Sequence, residues 1–199
     1  MTDPISEREL NALQRRLQSL CGRTEQAAAD ELAAFTGTSV IRGESRLRSL
    51  PAADLGQALA ALGNERLFSG VVQAYQLEIS PLFAMTVVTE ESIADLSQLV
   101  SMPCSSGGET AELLFRLSEV LTESSLPLLA RGLDVAHHCF WGDAGLLALH
   151  APLERYQLHG IGREELLLTV ECNYQLEAHP FNCDLLLVLP SAVQQLLVR

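Results

Sequence analysis

Positive charge is scarce in this chain. Its 199 residues carry 13 lysine and arginine residues against 25 aspartate and glutamate residues, a formal net charge of −12. Nucleic acid and anionic membrane surfaces both call for a basic footprint, so neither is expected as a principal partner. Long apolar runs are also missing: none approaches the roughly 18 residues that cross a bilayer. The N-terminal MTDPISERELNAL lacks the basic-then-apolar order of a signal peptide. No membrane insertion is expected, and the location is read as cytoplasmic. Paired cysteines are missing too. Cys21, Cys104, Cys139, Cys172 and Cys183 are odd in number and scattered, with no Cys-x-x-Cys spacing, which points to reduced, mostly buried thiols.

Several chemistries are absent for the same kind of reason. His137, His138 and Cys139 form the sharpest metal-capable cluster, but His150, His159 and His179 are dispersed singly, so no metal site and no cofactor are predicted. There is no Gly-x-Ser-x-Gly nucleophile turn. Ser105-Ser106-Gly107-Gly108 lacks the lysine of a phosphate-binding loop and reads as a linker. Glu90 beside Glu91, and Arg163 beside Glu164 and Glu165, are adjacent charges that diverge on a helix or strand, so they read as solvated positions. What is present is a high apolar fraction, 48%, with only 19% charged residues; such a chain buries a sizeable core.

The chain also repeats itself. AYQLEISP begins at Ala74 and NYQLEAHP at Asn173, so Tyr-Gln-Leu-Glu recurs 99 residues on, about half the chain length. A first helix is expected from Asp3-Pro4, or from a Ser6/Glu9 capping box, to a stop at Gly37, with Leu10, Leu13, Leu17 and Leu20 on one face. A mixed stretch, TSVIRGESRLRSL, and a short helical signal, PAADLGQALAAL, follow. RLFSGVVQAYQLEI and LFAMTVVT read as strands joined at Ser80-Pro81, and EESIADLSQLV as a closing helix. After the linker SMPCSSGG the order recurs. ETAELLFRLSEVLTESSLPLLARGL is a long amphipathic helix, kinked or divided near Pro127. HCFWGDAGLLALHAPLERY is irregular, EELLLTVECNYQLEA and CDLLLVL are strands around His179-Pro180, and PSAVQQLLV closes the second half. Leu67 matches Leu166, Val71 matches Val170 and Pro81 matches Pro180 at an offset of 99; Ile93 matches Val193 and Leu96 matches Leu196 at 100. Tyr75 and Tyr174, as repeat-equivalent strand positions, read as core packing.

An alternating hairpin with one apolar face must be covered. The expected fold is therefore α+β, a pseudo-twofold duplicated arrangement with two long helices packed on an antiparallel sheet. It would be one domain over residues 1–199, built from two repeats, 1–102 and 103–199.

This plan resembles the CheC/CheX/FliY family of chemotaxis phosphatases. The resemblance is carried by QSLCGRTEQAAADELAAFTG followed by TSVI, by GVVQAYQLEISPLFAMTVVTEESIADLSQLV and by FRLSEVLTESS, and it spans nearly the whole chain. It implies a CheC-like fold and action on the aspartyl phosphate of a CheY-like receiver. It also implies a Glu-x-x-Asn motif on the long helices, in which asparagine positions the attacking water and glutamate pairs with a receiver lysine. The first-helix motif positions are Ser19 and Gly22, which supply neither group. In the natural register the second helix offers Glu119 and Thr122 as candidate catalytic residues; a register three residues earlier offers Arg116 and Glu119. The implied partners are a CheY-like receiver in two-component signalling and a CheD-like protein. The first expectation is a motif-degenerate, non-catalytic or weakly catalytic CheC-like protein that binds a receiver. An active phosphatase using the second helix is the alternative, and a small acidic chaperone or secretion adaptor a further one.

Overall fold

The structure is a computed structural model that describes residues 7–56, 58, 68–76, 81–133, 140–147 and 161–191. The first helix, α1 (Glu7–Thr36), ends where Gly37 takes a φ of +68° and its N–H bonds the Ala33 carbonyl at 2.9 Å, a turn that glycine adopts without a Cβ penalty. The cap candidates Asp3, Pro4 and Ser6 lie outside the described residues. A short helix, α2 (Glu90–Leu99), starts on Thr89, whose hydroxyl accepts from the Ser92 N–H. The next helix, α3 (Gly107–Glu123), starts on a capping box: the Ser106 hydroxyl accepts from the Glu109 N–H while the Glu109 carboxylate accepts from the Ser106 N–H. It gives way at Ser124 to α4 (Ser125–Gly132). Pro127 accounts for the division, because it has no N–H to offer the Glu123 carbonyl one turn earlier and its ring crowds that carbonyl.

The strands are β1 (Val40–Arg42), β2 (Arg46–Pro51), β3 (Phe68–Gln76), β4 (Pro81–Thr89), β5 (Phe140–Leu147), β6 (Leu166–Leu176) and β7 (Asn182–Leu189). They form one antiparallel sheet in the order β1-β6-β7-β4-β3-β5, with β2 pairing β6 beyond β1. Both hairpins are where the period-two pattern puts them. Three edge strands correct the sequence reading. The mixed stretch after α1 is β1 and β2, whose side chains are largely exposed because an edge strand buries little and alternates weakly. The segment read as irregular contains β5, where Gly142, Asp143 and Gly145 interrupt a strand signature. Of the short helical signal, Ala52–Asp54 is a 3₁₀ turn. Of PSAVQQLLV, only Pro190 and Ser191 fall among the described residues, and the partners Leu67, Val193 and Leu196 lie outside them.

The pairing registers carry the duplication further than the shared tetrapeptide does. Leu47 pairs with Val170, and Leu146, 99 residues after Leu47, pairs with Val71, 99 before Val170. A register slip recurs at matching places: Arg42 pairs with Tyr174, and Trp141 pairs with Tyr75. At the centre, Met85 pairs with Leu186, so the pseudo-twofold axis crosses the sheet there. One match is corrected. Gln76 pairs with Pro81 whereas Gln175 pairs with Asn182, so Asn182 is the counterpart of Pro81 and Pro180 belongs to a connection two residues longer.

One face of the sheet carries the main core. Val71, Tyr75, Leu82, Ala84, Val170, Tyr174, Leu185 and Leu187 meet Leu20, Ala28, Leu32, Leu113, Leu117, Leu121 and Leu129 from α1, α3 and α4. The opposite face holds Phe83, Met85, Val87, Leu167, Leu186 and Val188 with Leu55. Buried on both faces, β4 and β7 read as continuous apolar runs. Helix α1 lies close to α4, and Gly132 sets that approach: a Cβ there would overlap Leu20 Cδ1 and come within 3.0–3.1 Å of Leu20 Cδ2 and Cγ. Leu20 is itself buried, so any shift of its side chain disturbs the core around it. Gly132→Ala is expected to cost about 2 kcal/mol by overpacking, seen as a fall in the urea midpoint at unchanged slope. A loss below about 0.5 kcal/mol would mean that the helices separate freely.

Candidate functional site

The two long helices place the motif positions Ser19, Gly22, Arg116, Glu119 and Thr122. On α1, Ser19 is exposed, and Gly22 faces open space: a Cβ added there meets nothing within 4 Å. On α3, Arg116 and Glu119 point outward and form an ion pair of 3.0 Å between Nη1 and Oε2. Such an exposed i,i+3 pair contributes about 0.3 kcal/mol. Thr122 turns the other way. It is 1% exposed, donates to the Ser118 carbonyl at 2.6 Å and has Gln73 Oε1 at 3.4 Å. The natural register therefore does not bring Glu119 and Thr122 onto one exposed face.

Burial discriminates between the two registers. Among the described residues of α1 the buried positions are Leu20, Cys21, Thr24, Glu25, Ala28, Ala29, Leu32 and Thr36; 97 residues on stand Leu117, Ser118, Leu121, Thr122, Ser125, Leu126, Leu129 and Leu133, all buried as well. An offset of 100 places Leu20, Thr24 and Ala28 against the half-exposed Val120, Ser124 and Leu128. Hydrogen bonding agrees with the first. Glu25 accepts from Cys172 Sγ at 3.5 Å, and Thr122 lies against Gln73, the residue 99 before Cys172. Ser19 and Gly22 thus correspond to Arg116 and Glu119, the earlier register.

Beneath the outward face of α3 lies a polar network that the periodicity hides. Gln73, on β3 and 3% exposed, accepts at Oε1 from the Ser118 hydroxyl (2.6 Å) and the Tyr75 hydroxyl (3.0 Å), while Thr86 donates to Ser118 at 3.1 Å. On the opposite face of the sheet, Asn173 donates at 2.7 Å to both Asp184 and Asn182, and Glu171 lies 3.7 Å from each of Arg46 and Arg48. Burial pushes the Asp184 carboxyl up to about 6, with Asn173 pulling it back and Glu171 adding to the rise. The repeat counterparts in the first half are Val72 for Glu171, Ala74 for Asn173 and Phe83 for Asp184, so this polar patch belongs to one half only.

The described cysteines, Cys21, Cys104, Cys172 and Cys183, are free. Among the described residues no three metal-capable side chains converge; His137, His138 and Cys139 lie outside them. Among the described residues no helix is long and apolar enough to cross a membrane.

Helices on a duplicated antiparallel sheet match a chain of the FliG–FliM complex from H. pylori, at a TM-score of 0.68 and 7% identity over 98% of this chain and 99% of that one. The fold is CheC-like. Thermotoga maritima FliY matches at 0.64 with 14% identity over 87% of both chains. A CheC-like superfamily protein from Shewanella matches at 0.52 with 11% identity, over 85% of this chain and 96% of that one. No family model and no curated protein sequence matches the chain. At such identities the likeness is one of fold.

Proposed function

We propose that this chain is a CheC-like protein that works by binding a chemotaxis or two-component signalling protein in the cytoplasm, a phosphorylated CheY-like receiver first and a CheD-like protein second. It is one unit made of two repeats, 1–102 and 103–199, and its phosphatase chemistry is gone. A single observation carries the reading. The outward motif positions hold Ser19 and Gly22 on one helix and an Arg116–Glu119 ion pair on the other, while the core beneath both helices is intact. Acyl-phosphate hydrolysis needs a positioned water and neutralised charge. A serine and a glycine hold neither, and Thr122 already donates into the core. The FliM structures with this fold include complexes with FliG and with SpeE, so the scaffold supports docking.

The test is phosphate release from a phosphorylated CheY-like receiver, with binding measured in parallel by calorimetry. Release is expected to stay within about twofold of the spontaneous rate, with saturable binding. Acceleration that disappears in Glu119→Ala would overturn this reading and assign catalysis to α3.

A further inference from the structure

A pocket of about 450 Å³ opens between α1 and the sheet edge, where the edge strand leaves its neighbour. Between β1 and β2, Gly43 keeps a backbone bond to the Asn173 carbonyl at 2.9 Å, while Glu44 and Ser45 fall outside the ladder. That departure exposes the floor beneath. Glu25 and Cys21 line it from α1, Leu47 and Val170 form an apolar wall, and Arg42 and Glu44 stand at the mouth.

Glu25 is the unusual member. It is 7% exposed, and among the described residues its one hydrogen bond comes from the Cys172 thiol, to Oε1 at 3.5 Å. Among the described residues no arginine or histidine lies within ion-pair distance of it. A thiol is a weak donor, and a carboxylate taken out of water without a cation is costly. The α-helix does not require it: the residue three positions further on along the same stripe is Ala28, and that position is fully buried. At the mouth the charges of Arg42 and Glu44 offset each other. The thiols add none, since burial and then Glu25 push Cys21 up to about 12, and burial and then Glu25 raise Cys172 as well.

We infer that this pocket is a binding site for a cationic group on a short alkyl stem, the head meeting Glu25 and the stem lying on Leu47 and Val170. Size and lining suit such a ligand: the volume lies within the range of small-molecule sites, and apolar walls with one placed polar group fix orientation. A charge-assisted hydrogen bond from a guanidinium or ammonium is the strong kind. The head could arrive on a free small molecule or on an arginine of a partner chain, and the chemistry is common to both.

The experiment is a methyl-NMR titration of the reduced full chain with butylguanidinium, with its neutral isostere butylurea, and with N-acetylarginine methylamide. Butylguanidinium is expected to shift the Leu47 and Val170 methyls saturably. Butylurea should bind at least about tenfold more weakly, and Glu25→Gln should weaken the cation by a similar factor. Comparable binding of capped arginine would assign the head to a partner's side chain, and exclusion of it to a free small molecule. Equal binding of cation and urea to the unaltered protein, or no saturable shift with butylguanidinium, overturns the site. The comparison of ligands on the unaltered chain holds even if Glu25→Gln fails to fold.

Discussion

Gln73→Ala is expected to lower stability by about 3 kcal/mol, the largest effect of any single polar truncation among the described residues. Gln73 is buried in the middle of β3, where a purely apolar strand would want valine or isoleucine. It is retained because α3 brings two hydroxyls onto the same spot: Ser118 donates to it at 2.6 Å and Thr122 comes within 3.4 Å, while Tyr75 on its own strand donates at 3.0 Å. Truncation to alanine removes the acceptor that Ser118 and Tyr75 share and opens a void the size of an amide. Buried unmade hydrogen bonds cost about 1–3 kcal/mol each, and the void adds to that. Ser118→Ala should cost less, about 1–2 kcal/mol, because Gln73 still receives Tyr75 although the buried Thr86 hydroxyl loses its acceptor. Urea denaturation of both variants checks the pair through midpoints at unchanged slope. A Gln73→Ala loss of less than about 1 kcal/mol would mean that the network is not the link between α3 and the sheet. The consequence for function is direct: Thr122 belongs to this cluster, so its hydroxyl serves the core.

Much of this was legible in the sequence, and the parts that were not share a cause. The hairpins are written in apolar runs of strand length, alternating in β3 and β6 and continuous in β4 and β7, the stop of α1 in Gly37, the division of the second long helix in Pro127. Each is a local signal whose physics acts over a few residues. The edge strands are not local in this sense. Residues such as Arg46 and Arg48 become a strand because β6 presents a ladder to them, and no pattern within RLRSL announces that. The motif register stayed open in the sequence for a related reason. Alignment by the sequence around Glu119 ignores which side of α3 faces the sheet, and only the burial of Leu117, Ser118, Leu121 and Thr122 fixes it. Glu25 was hidden by its neighbours. In EQAAADELAAF the small residues do indicate close packing, but they say nothing about a carboxylate sharing their face. The cavity over it is made by Arg42, Gly43, Glu44 and Leu47, which belong to a different element.

Asp184→Asn is expected to stabilise the protein by about 2–3 kcal/mol at pH 8, and the gain should vanish towards pH 4. Asp184 is 9% exposed on the face of β7 away from the helices, and burial raises its carboxyl from the ordinary 3.8 to about 6. A raised acid pKa means that the folded state holds the proton more tightly than the unfolded chain. Stability therefore rises as pH falls from above 6 towards 4, and above 6 the ionised group opposes folding. The difference between about 6 and 3.8 amounts to about 3 kcal/mol at its limit. The charge-assisted bond from Asn173 Nδ2 at 2.7 Å is already contained in that net shift, and the asparagine oxygen keeps the bond in neutral form, so the expected gain is about 2–3 kcal/mol. Because the substituted amide does not titrate, the difference between the two proteins isolates this one group from the other carboxylates, whose protonation destabilises or stabilises both alike. Urea midpoints at half-unit intervals from pH 4 to 8 give the curve. A gap that stays constant across that range would place the carboxyl at its ordinary pKa, and a gap of opposite sign at pH 8 would mean that the ionised form is stabilised by Arg46 and Asn173 beyond its cost of burial. The counterpart position holds Phe83, so a neutral residue is already compatible with this sheet, and an ionised one retained at a stability cost marks the patch of Asp184, Asn173 and Glu171 as a place where the second half has departed from its repeat.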